Sequence, residues 1–339
     1  MKALVTGGGG FLGRYIVEQL LARGDDVAIL SRGHYPDLAT QGVTVIQGDI
    51  TNAATVIQAC MGMETVFHVA ARPGVWGTWN SFYQPNVLGT QNIVAACQEE
   101  GVTKLVYTSS PSVIFDNQAH EGADESLPYP LEFENMYSHT KALAEQVVIK
   151  ANGKQGLATV SLRPHLIWGP RDTQLLPRLL ARAQAGRLIQ VGDGTNKVDL
   201  TYVEDAARAH LLAADALGPD SPVAGSVYFI SQDEPVLLWP WTSELLQQLK
   251  LPPIKRRVSK VVARAVGGVL EACYYILRLP GEPPMTRFLG SVLAMSHYYD
   301  ISKAKQDFGY KPQYSMAAAL AKTLAEMKKE RGRKGENNG

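Results

Sequence analysis

Hydrophobic positions in the first half of the chain fall in short unbroken runs rather than in alternation: KALVT (2–6), DVAIL (26–30), VTVIQ (43–47), TVFHV (65–69), KLVYT (104–108) and ATVSLR (158–163). Strands that are apolar on both faces suit a parallel sheet covered by helices on either side. Between most of these runs lie stretches with helical spacing. In FLGRYIVEQLLARG (11–24), Phe11, Leu12, Ile16, Leu20 and Leu21 share a face, and Gly24 offers a C-terminal stop. Strand alternating with helix predicts an α/β fold built on a doubly wound parallel sheet, over residues 1–165.

Past residue 165 the rhythm loosens. Prolines cluster (Pro170, Pro177, Pro235, Pro240, Pro252, Pro253, Pro280, Pro283, Pro284) and strand and helix signals no longer alternate. A smaller C-terminal substrate-binding region is expected over 166–327. Part of it (196–230) is expected to return to the first domain, with SVYFI (226–230) rejoining the main sheet. The tail KKERGRKGENNG (328–339) has no apolar side chain and is expected to be disordered.

Charge narrows the function classes. Lys+Arg 33 against Asp+Glu 32 gives no bulk attraction to nucleic acid. Cys60, Cys97 and Cys273, and His139, His165 and His297, show no metal-ligand spacing, so no metal is expected. MKALVTGGGG reads as a strand running into glycines, not as a signal peptide. The most apolar long stretch, 265–279, is interrupted by Glu271 and Arg278. A cytoplasmic protein is expected.

The chemistry begins at TGGGGFLG (6–13), where Gly7, Gly10 and Gly13 keep a G-x-x-G-x-x-G spacing between the first strand and the first helix. Glycine permits the tight turn and close approach that a pyrophosphate needs, and the helix start supplies free N–H groups. This context marks a Rossmann dinucleotide site. NAD-preferring sites usually carry a carboxylate at the end of the second strand to hold the ribose 2′-hydroxyl. Here Ser31 and Arg32 stand there instead, which favours NADP(H) over NAD through a guanidinium–phosphate pair. A solvated surface arginine is the alternative. After the third strand, Asp49 can accept from the adenine amino group and Ile50 can cover the ring; a plain turn aspartate is the competing reading.

In NMYSHTKALAEQ (135–146), Tyr137 and Lys141 stand four apart, hence on one helix face. A phenol exchanges protons poorly near neutrality, and a neighbouring cation lowers its pKa toward the working range. YTSSPSV (107–113) adds hydroxyls at the carboxyl end of the fifth strand, where open α/β sheets bind ligands.

Together with HVAA (68–71), NVLGTQN (86–92), LRPHLIWGP (162–170), DLTYVEDAARAH (199–210) and YDISKAKQDFGYKP (299–312), these motifs resemble, over nearly the whole chain, the extended short-chain dehydrogenase/reductases. The resemblance implies that Tyr137 is the proton donor or acceptor and that Lys141 lowers its pKa and binds the nicotinamide ribose. It points to Ser110 rather than Ser109 as the hydroxyl that holds the substrate oxygen, and puts Pro164 near the nicotinamide amide. Phe11, Leu12 and Ala70 join the cofactor contacts on the same ground.

Within that superfamily, GVWGTWNSFYQPNVLGTQN (74–92), LRPHLIWGPRDTQLLPRLL (162–180), GDGTNKVDLTYV (192–203) and LPGEPPMTRFL (279–289) look most like the 3β-hydroxysteroid dehydrogenase group. The nearest likeness is to its bacterial members that reduce 2-alkyl-3-oxoalkanoic acids with NADPH in olefin biosynthesis. The implied reaction is reduction of the 3-keto group of a lipophilic acid, with a homodimer as the working form. Two alternatives stand: a sterol dehydrogenase of the same group running oxidatively, and a non-catalytic NADP-binding regulator, against which the intact Tyr/Lys pair speaks. The run 262–280, where Val269, Leu270, Tyr274, Tyr275, Ile276 and Leu277 dominate, suits a wall for acyl chains or simply a domain core. Ahead of it, Lys255, Arg256, Lys260 and Arg264 suit either a membrane surface, giving peripheral contact through 255–280, or a solvated helix face. Arg163 and Arg171 are candidates for a substrate carboxylate, against an ordinary salt bridge.

Overall fold

The computed structural model of the chain describes residues 1–336, with side chains through Lys329. The apolar runs become the parallel strands β1 (Lys2–Thr6), β2 (Asp26–Ser31), β3 (Thr44–Gln47), β4 (Thr65–His68), β5 (Lys104–Thr108), β6 (Ala158–Pro164) and β7 (Val227–Ile230), in the order β7-β6-β5-β4-β1-β2-β3. The chain winds outward from β1 to β3, then returns to β4 and winds the other way. The resulting reversal between β1 and β4 opens a crevice at the carboxyl ends of the strands.

Helices cover both faces. On one, α1 (Phe11–Ala22) packs with the later helix Val203–Ala216 over Val5, Ile29, Phe67 and Val106. On the other, α2 (Ala53–Cys60), α3 (Gly89–Glu99) and α4 (Met136–Ala151) bury Leu4, Ala28, Val66 and Leu105. Helix α1 ends where Gly24 adopts φ +84°, a left-handed stop that a side chain resists. Before α3, the segment Gln84–Leu88 makes a π-helical turn, whose extra residue re-aims Asn86 into the interior.

The remaining chain builds a third core around Trp168, Tyr202 and Trp241, with the indoles crossing edge-to-face at 5.2 Å. Short strands hold it together, such as Ile189–Val191 paired with Arg256–Val258. Two later helices, α5 (Lys260–Ile276) and α6 (Arg287–Val292), cross where Gly267 lies on the Thr286–Arg287 backbone; a Cβ there would meet Thr286 at 2.5 Å.

Three expectations change. The last helix, Met316–Glu336, takes in residues 328–336 of the tail expected to be disordered. Its first turns are anchored by buried Ala319, Leu320 and Leu324, and the Lys- and Glu-rich continuation has good helix propensity. Residues 337–339 lie outside the described residues. Arg163 is sealed in the interior, with Nε and Nη2 donating to both carboxylate oxygens of Glu145 at 2.9 and 2.6 Å, and so ties α4 to β6. Arg171 makes a bidentate pair with Glu18 at 2.6 and 2.8 Å and lies over the Tyr15 ring. Both arginines are ordinary salt-bridge partners.

Candidate functional site

A cavity of about 1740 Å³ runs from the glycine turn, past the ends of β4 and β5, to the apolar walls of the third region. At its first end, Gly7 has φ +68°, and a Cβ on Gly13 would sit 2.2 Å from the Gly7 carbonyl oxygen, so helix α1 can start against the turn only without a side chain there. The helix has no side-chain cap at Gly10, which leaves its first N–H groups directed at the cavity. This is a cradle for a pyrophosphate, and the residues present fit a dinucleotide.

The neighbouring candidates line the same end. Phe11, Leu12, Ser31, Arg32, Asp49, Ile50 and Ala70 all border it. Ser31 Oγ accepts from the Gly9 amide at 3.4 Å, whereas the Arg32 guanidinium is exposed and makes no salt bridge among the described residues. One oxygen of Asp49 accepts from the amide and hydroxyl of Thr51, both at 2.9 Å. Buried Ile50 packs on Gly89. The sequence reading missed Tyr35, whose ring lies over Gly9 on the cavity wall.

At the middle, Tyr137, Lys141, Ser109, Ser110 and Pro164 meet. Asn135 caps α4 by accepting from the Ser138 amide at 2.8 Å, which fixes the first turn that carries Tyr137. Ser110 Oγ caps the turn Pro111–Ile114 through the Ser112 amide, and the same hydroxyl offsets part of the upward push that burial gives the phenol of Tyr137. Ser109 Oγ is buried without a hydrogen-bond partner.

Lys141 departs from the expected arrangement. Its ammonium donates to the Thr108 carbonyl at 2.6 Å and lies 4.1 Å from the Tyr107 ring centre. Burial brings it down to about 7 against the pull of Glu145. Tyr137 is raised rather than lowered, because burial outweighs the hydrogen bond it has with Ser110.

A chain of buried hydrogen bonds supports this centre. Thr90 Oγ1 donates to the Asn86 carbonyl at 2.6 Å and so offers only a lone pair to His68 Nε2, 2.9 Å away. The proton of His68 thus sits on Nε2, and Nδ1 accepts from Thr6 Oγ1 at 2.8 Å. That oxygen in turn accepts from the amides of Val69 and Ala70. Asn86 clamps the backbone of Arg72 with both ends of its amide, at 2.7 and 3.2 Å, and donates to Thr140 on α4 at 3.0 Å. Arg72 lines the cavity with its guanidinium 5.0 Å above the Phe82 ring, and Phe82 lies 6.4 Å from the Tyr137 ring. No acid pairs with Arg72 among the described residues.

Beyond the centre the walls are mostly apolar, with Leu175, Leu179, Leu188, Val262, Val266, Leu270, Phe288 and Val292, although Arg178, Arg182 and Arg187 also line the cavity. From the run 262–280 only one face of α5 contributes. Leu270 is on the wall, but Val269, Tyr275, Ile276 and Leu277 are 64 to 80% exposed and face away. The composition of the run could not show this, because both faces are apolar. The buried pair His165–His297 also borders the cavity, with His297 Nε2 donating to the Val292 carbonyl.

The buried histidines give a pH dependence with a definite sign. Burial lowers His68 to about 3, and His210 and His297 to about 4, all below their unfolded value. Each contributes stability that is present above about pH 6.5 and is lost as pH falls toward the folded value, at about 1.4 kcal/mol per pH unit. Asp199, which burial raises to about 7, opposes them with a similar slope but leaves the histidines in the majority. Urea unfolding midpoints should therefore fall between about pH 7 and pH 5, and His68→Gln should flatten the slope. A midpoint that is level or rising over that range would contradict neutral buried histidines.

Comparison with known proteins follows the same lines. The model of the 3-beta hydroxysteroid dehydrogenase/isomerase family matches residues 4–259. A 2-alkyl-3-oxoalkanoate reductase of Stenotrophomonas maltophilia is 47% identical over 329 residues, 96% of this chain and 99% of that protein. A mouse sterol-4-alpha-carboxylate 3-dehydrogenase (decarboxylating) is 35% identical over 327 residues, 95% of this chain and 90% of that protein. Among solved structures, a double mutant of dTDP-glucose 4,6-dehydratase from Streptomyces venezuelae with NAD bound superposes with a TM-score of 0.76, at 26% identity over 98% of both chains. The sheet, the glycine cradle and these relatives agree: the chain is an oxidoreductase belonging to the 3-beta hydroxysteroid dehydrogenase/isomerase family.

Proposed function

We propose that the protein reduces the 3-keto group of a lipophilic 2-alkyl-3-oxoalkanoic acid to the 3-hydroxy acid with NADPH. The observation that carries the reading is one cavity lined by a dinucleotide cradle, the Tyr137 phenol, a guanidinium with no acidic partner among the described residues, and mostly apolar walls. NADPH, when bound, supplies the hydride that the carbonyl carbon takes up. The turn at Gly7–Gly13 and the start of α1 receive its pyrophosphate, and Arg32 pairs with the 2′-phosphate. Ser110 holds the substrate oxygen, and Tyr137 gives it a proton as the carbonyl carbon becomes tetrahedral. Lys141, with a pKa near 7 and one helical turn from Tyr137, binds the ribose and assists that transfer.

Arg72 gives the acid its orientation. The names of the two relatives share one feature: a carboxylate borne on the carbon next to the one that reacts. A cation lining the same cavity as the phenol suits that spacing, and Arg72, over the Phe82 ring that neighbours Tyr137, has no acidic partner among the described residues. The sterol dehydrogenase relative keeps a second reading open: oxidation of a 3-hydroxysterol acid in the same cavity. A panel of 2-alkyl-3-oxo acids and sterol acids, followed by cofactor absorbance, separates the two.

Tyr137→Phe removes only the ionisable hydroxyl. It should lower turnover by about two orders of magnitude or more while NADPH affinity stays near wild type. Retention of more than about a tenth of the rate would remove Tyr137 from the chemistry. Arg32→Ala should weaken NADPH roughly ten- to a hundredfold and leave NADH almost unaffected, measured by fluorescence titration of each cofactor. Equal losses would make Arg32 structural. Arg72→Met keeps the stem over Phe82 but removes the charge. It should lower kcat/KM for the free acid roughly tenfold or more, yet scarcely change that for its methyl ester. The same loss on both substrates would assign Arg72 to the shape of its loop.

A further inference from the structure

Helix α5 turns to solvent a face that a soluble surface helix ordinarily turns inward. From residue 261 to 277 every exposed side chain is apolar or aromatic, with Val261 77%, Val269 64%, Tyr275 80% and Ile276 73% exposed. At about 100° per residue these fall on one contiguous half of the helix. The charges of α5 lie elsewhere and are engaged: Arg264 donates to Glu134 and Asn117, both at 2.8 Å, and Glu271 accepts from Arg287. With the Gly267 crossing on α6, these bonds fix which side of α5 faces out. A contiguous exposed apolar face of this kind marks an interaction surface.

We propose that this face seats the protein on an anionic lipid surface, with α5 lying in the plane of the interface. The charges around the face favour that occupant. Lys255, Arg256 and Arg257 lie exposed at one end and Arg278 at the other, and none makes a salt bridge among the described residues. The nearby acids Glu271 and Glu282 are already paired with Arg287 and Arg178. A two-fold contact between copies would bring two such basic clusters into one interface, whereas acidic headgroups complement them. The helix has 17 residues and no described helix is long and apolar enough to cross a membrane, so the contact is peripheral.

The cavity meets the same face. Val262 and Val266 are 48% and 47% exposed and also line the cavity, so an alkyl chain can leave the lipid along one helix and reach the site without crossing water. The docking surface itself does not depend on which lipophilic substrate the site takes.

Flotation of the full chain with phosphatidylcholine vesicles, with and without about one quarter phosphatidylglycerol, tests this. Binding is expected to the anionic vesicles at low salt and to fall roughly tenfold or more in V269D/I276D, in R256E/R257E and at high salt. Circular dichroism and thermal melting establish that each variant is folded. If V269D/I276D does not fold, R256E/R257E, which lies outside α5, decides alone. No binding to anionic vesicles, or equal binding by wild type and variants, overturns the proposal. So does a wild type that ignores vesicles and is a dimer that V269D/I276D converts to monomer by light scattering, because the face would then be a subunit interface.

Discussion

The buried hydrogen-bond chain from Thr6 through His68, Thr90 and Asn86 to Thr140 is the constraint on which the site depends. It joins the end of β1, the end of β4, the π-helical turn and the helix that carries Tyr137. Each member is buried, so each must be satisfied by the others, and the donor count leaves His68 a single tautomer. A shift of α4 relative to the glycine turn would strand at least one of these groups. The distance between a dinucleotide on the cradle and the phenol on α4 is thereby held by the interior, while the exposed loops around the cavity are left to adapt to substrate.

Much of the fold was legible because parallel strands announce themselves by unbroken apolar runs. KALVT and KLVYT coincide with β1 and β5 residue for residue. The glycine turn was legible for a different reason: its steric demand, with Gly13 against the Gly7 carbonyl, excludes every other residue type. Arg72, Tyr35 and the contacts of Asn86 were not legible. Their significance lies in what crosses over from distant segments, such as the Phe82 ring under Arg72 and the Gly9 turn under Tyr35, and no local spacing encodes that. Arg163 and Arg171 failed in the complementary way. An arginine reads alike in sequence whether it faces a cavity or a carboxylate, and Glu145 and Glu18 are 18 and 153 residues away.

The cavity divides its chemistry by position. Free backbone N–H groups at the start of α1 line one part of it, and mostly aliphatic side chains line another. Between them the solvation of charge is poorest, as the depressed Lys141 and the raised Tyr137 both register. Burial pushes the phenol and the ammonium toward their neutral forms, so their pKa values, nearly equal in water, move apart.

Helix α5 has to satisfy two apolar environments at once, and its sequence shows the cost. A helix with one wet face advertises it by charges every three or four residues. Here Val262, Val266 and Leu270 face the cavity while Val261, Val269 and Ile276 face outward, so the charges retreat to the flanks, to Lys255–Arg257 and Arg278, or to the side that grips α6 and Glu134. Read as composition the segment is merely hydrophobic, which suits a cavity wall and a domain core equally. Its glycines carry the deciding information: Gly267 lets the helix press on the Thr286–Arg287 backbone, and that contact fixes the rotation of α5 about its own axis. With the rotation fixed, the outward apolar face is a property of the fold, and a surface to receive it is what the structure leaves to be supplied.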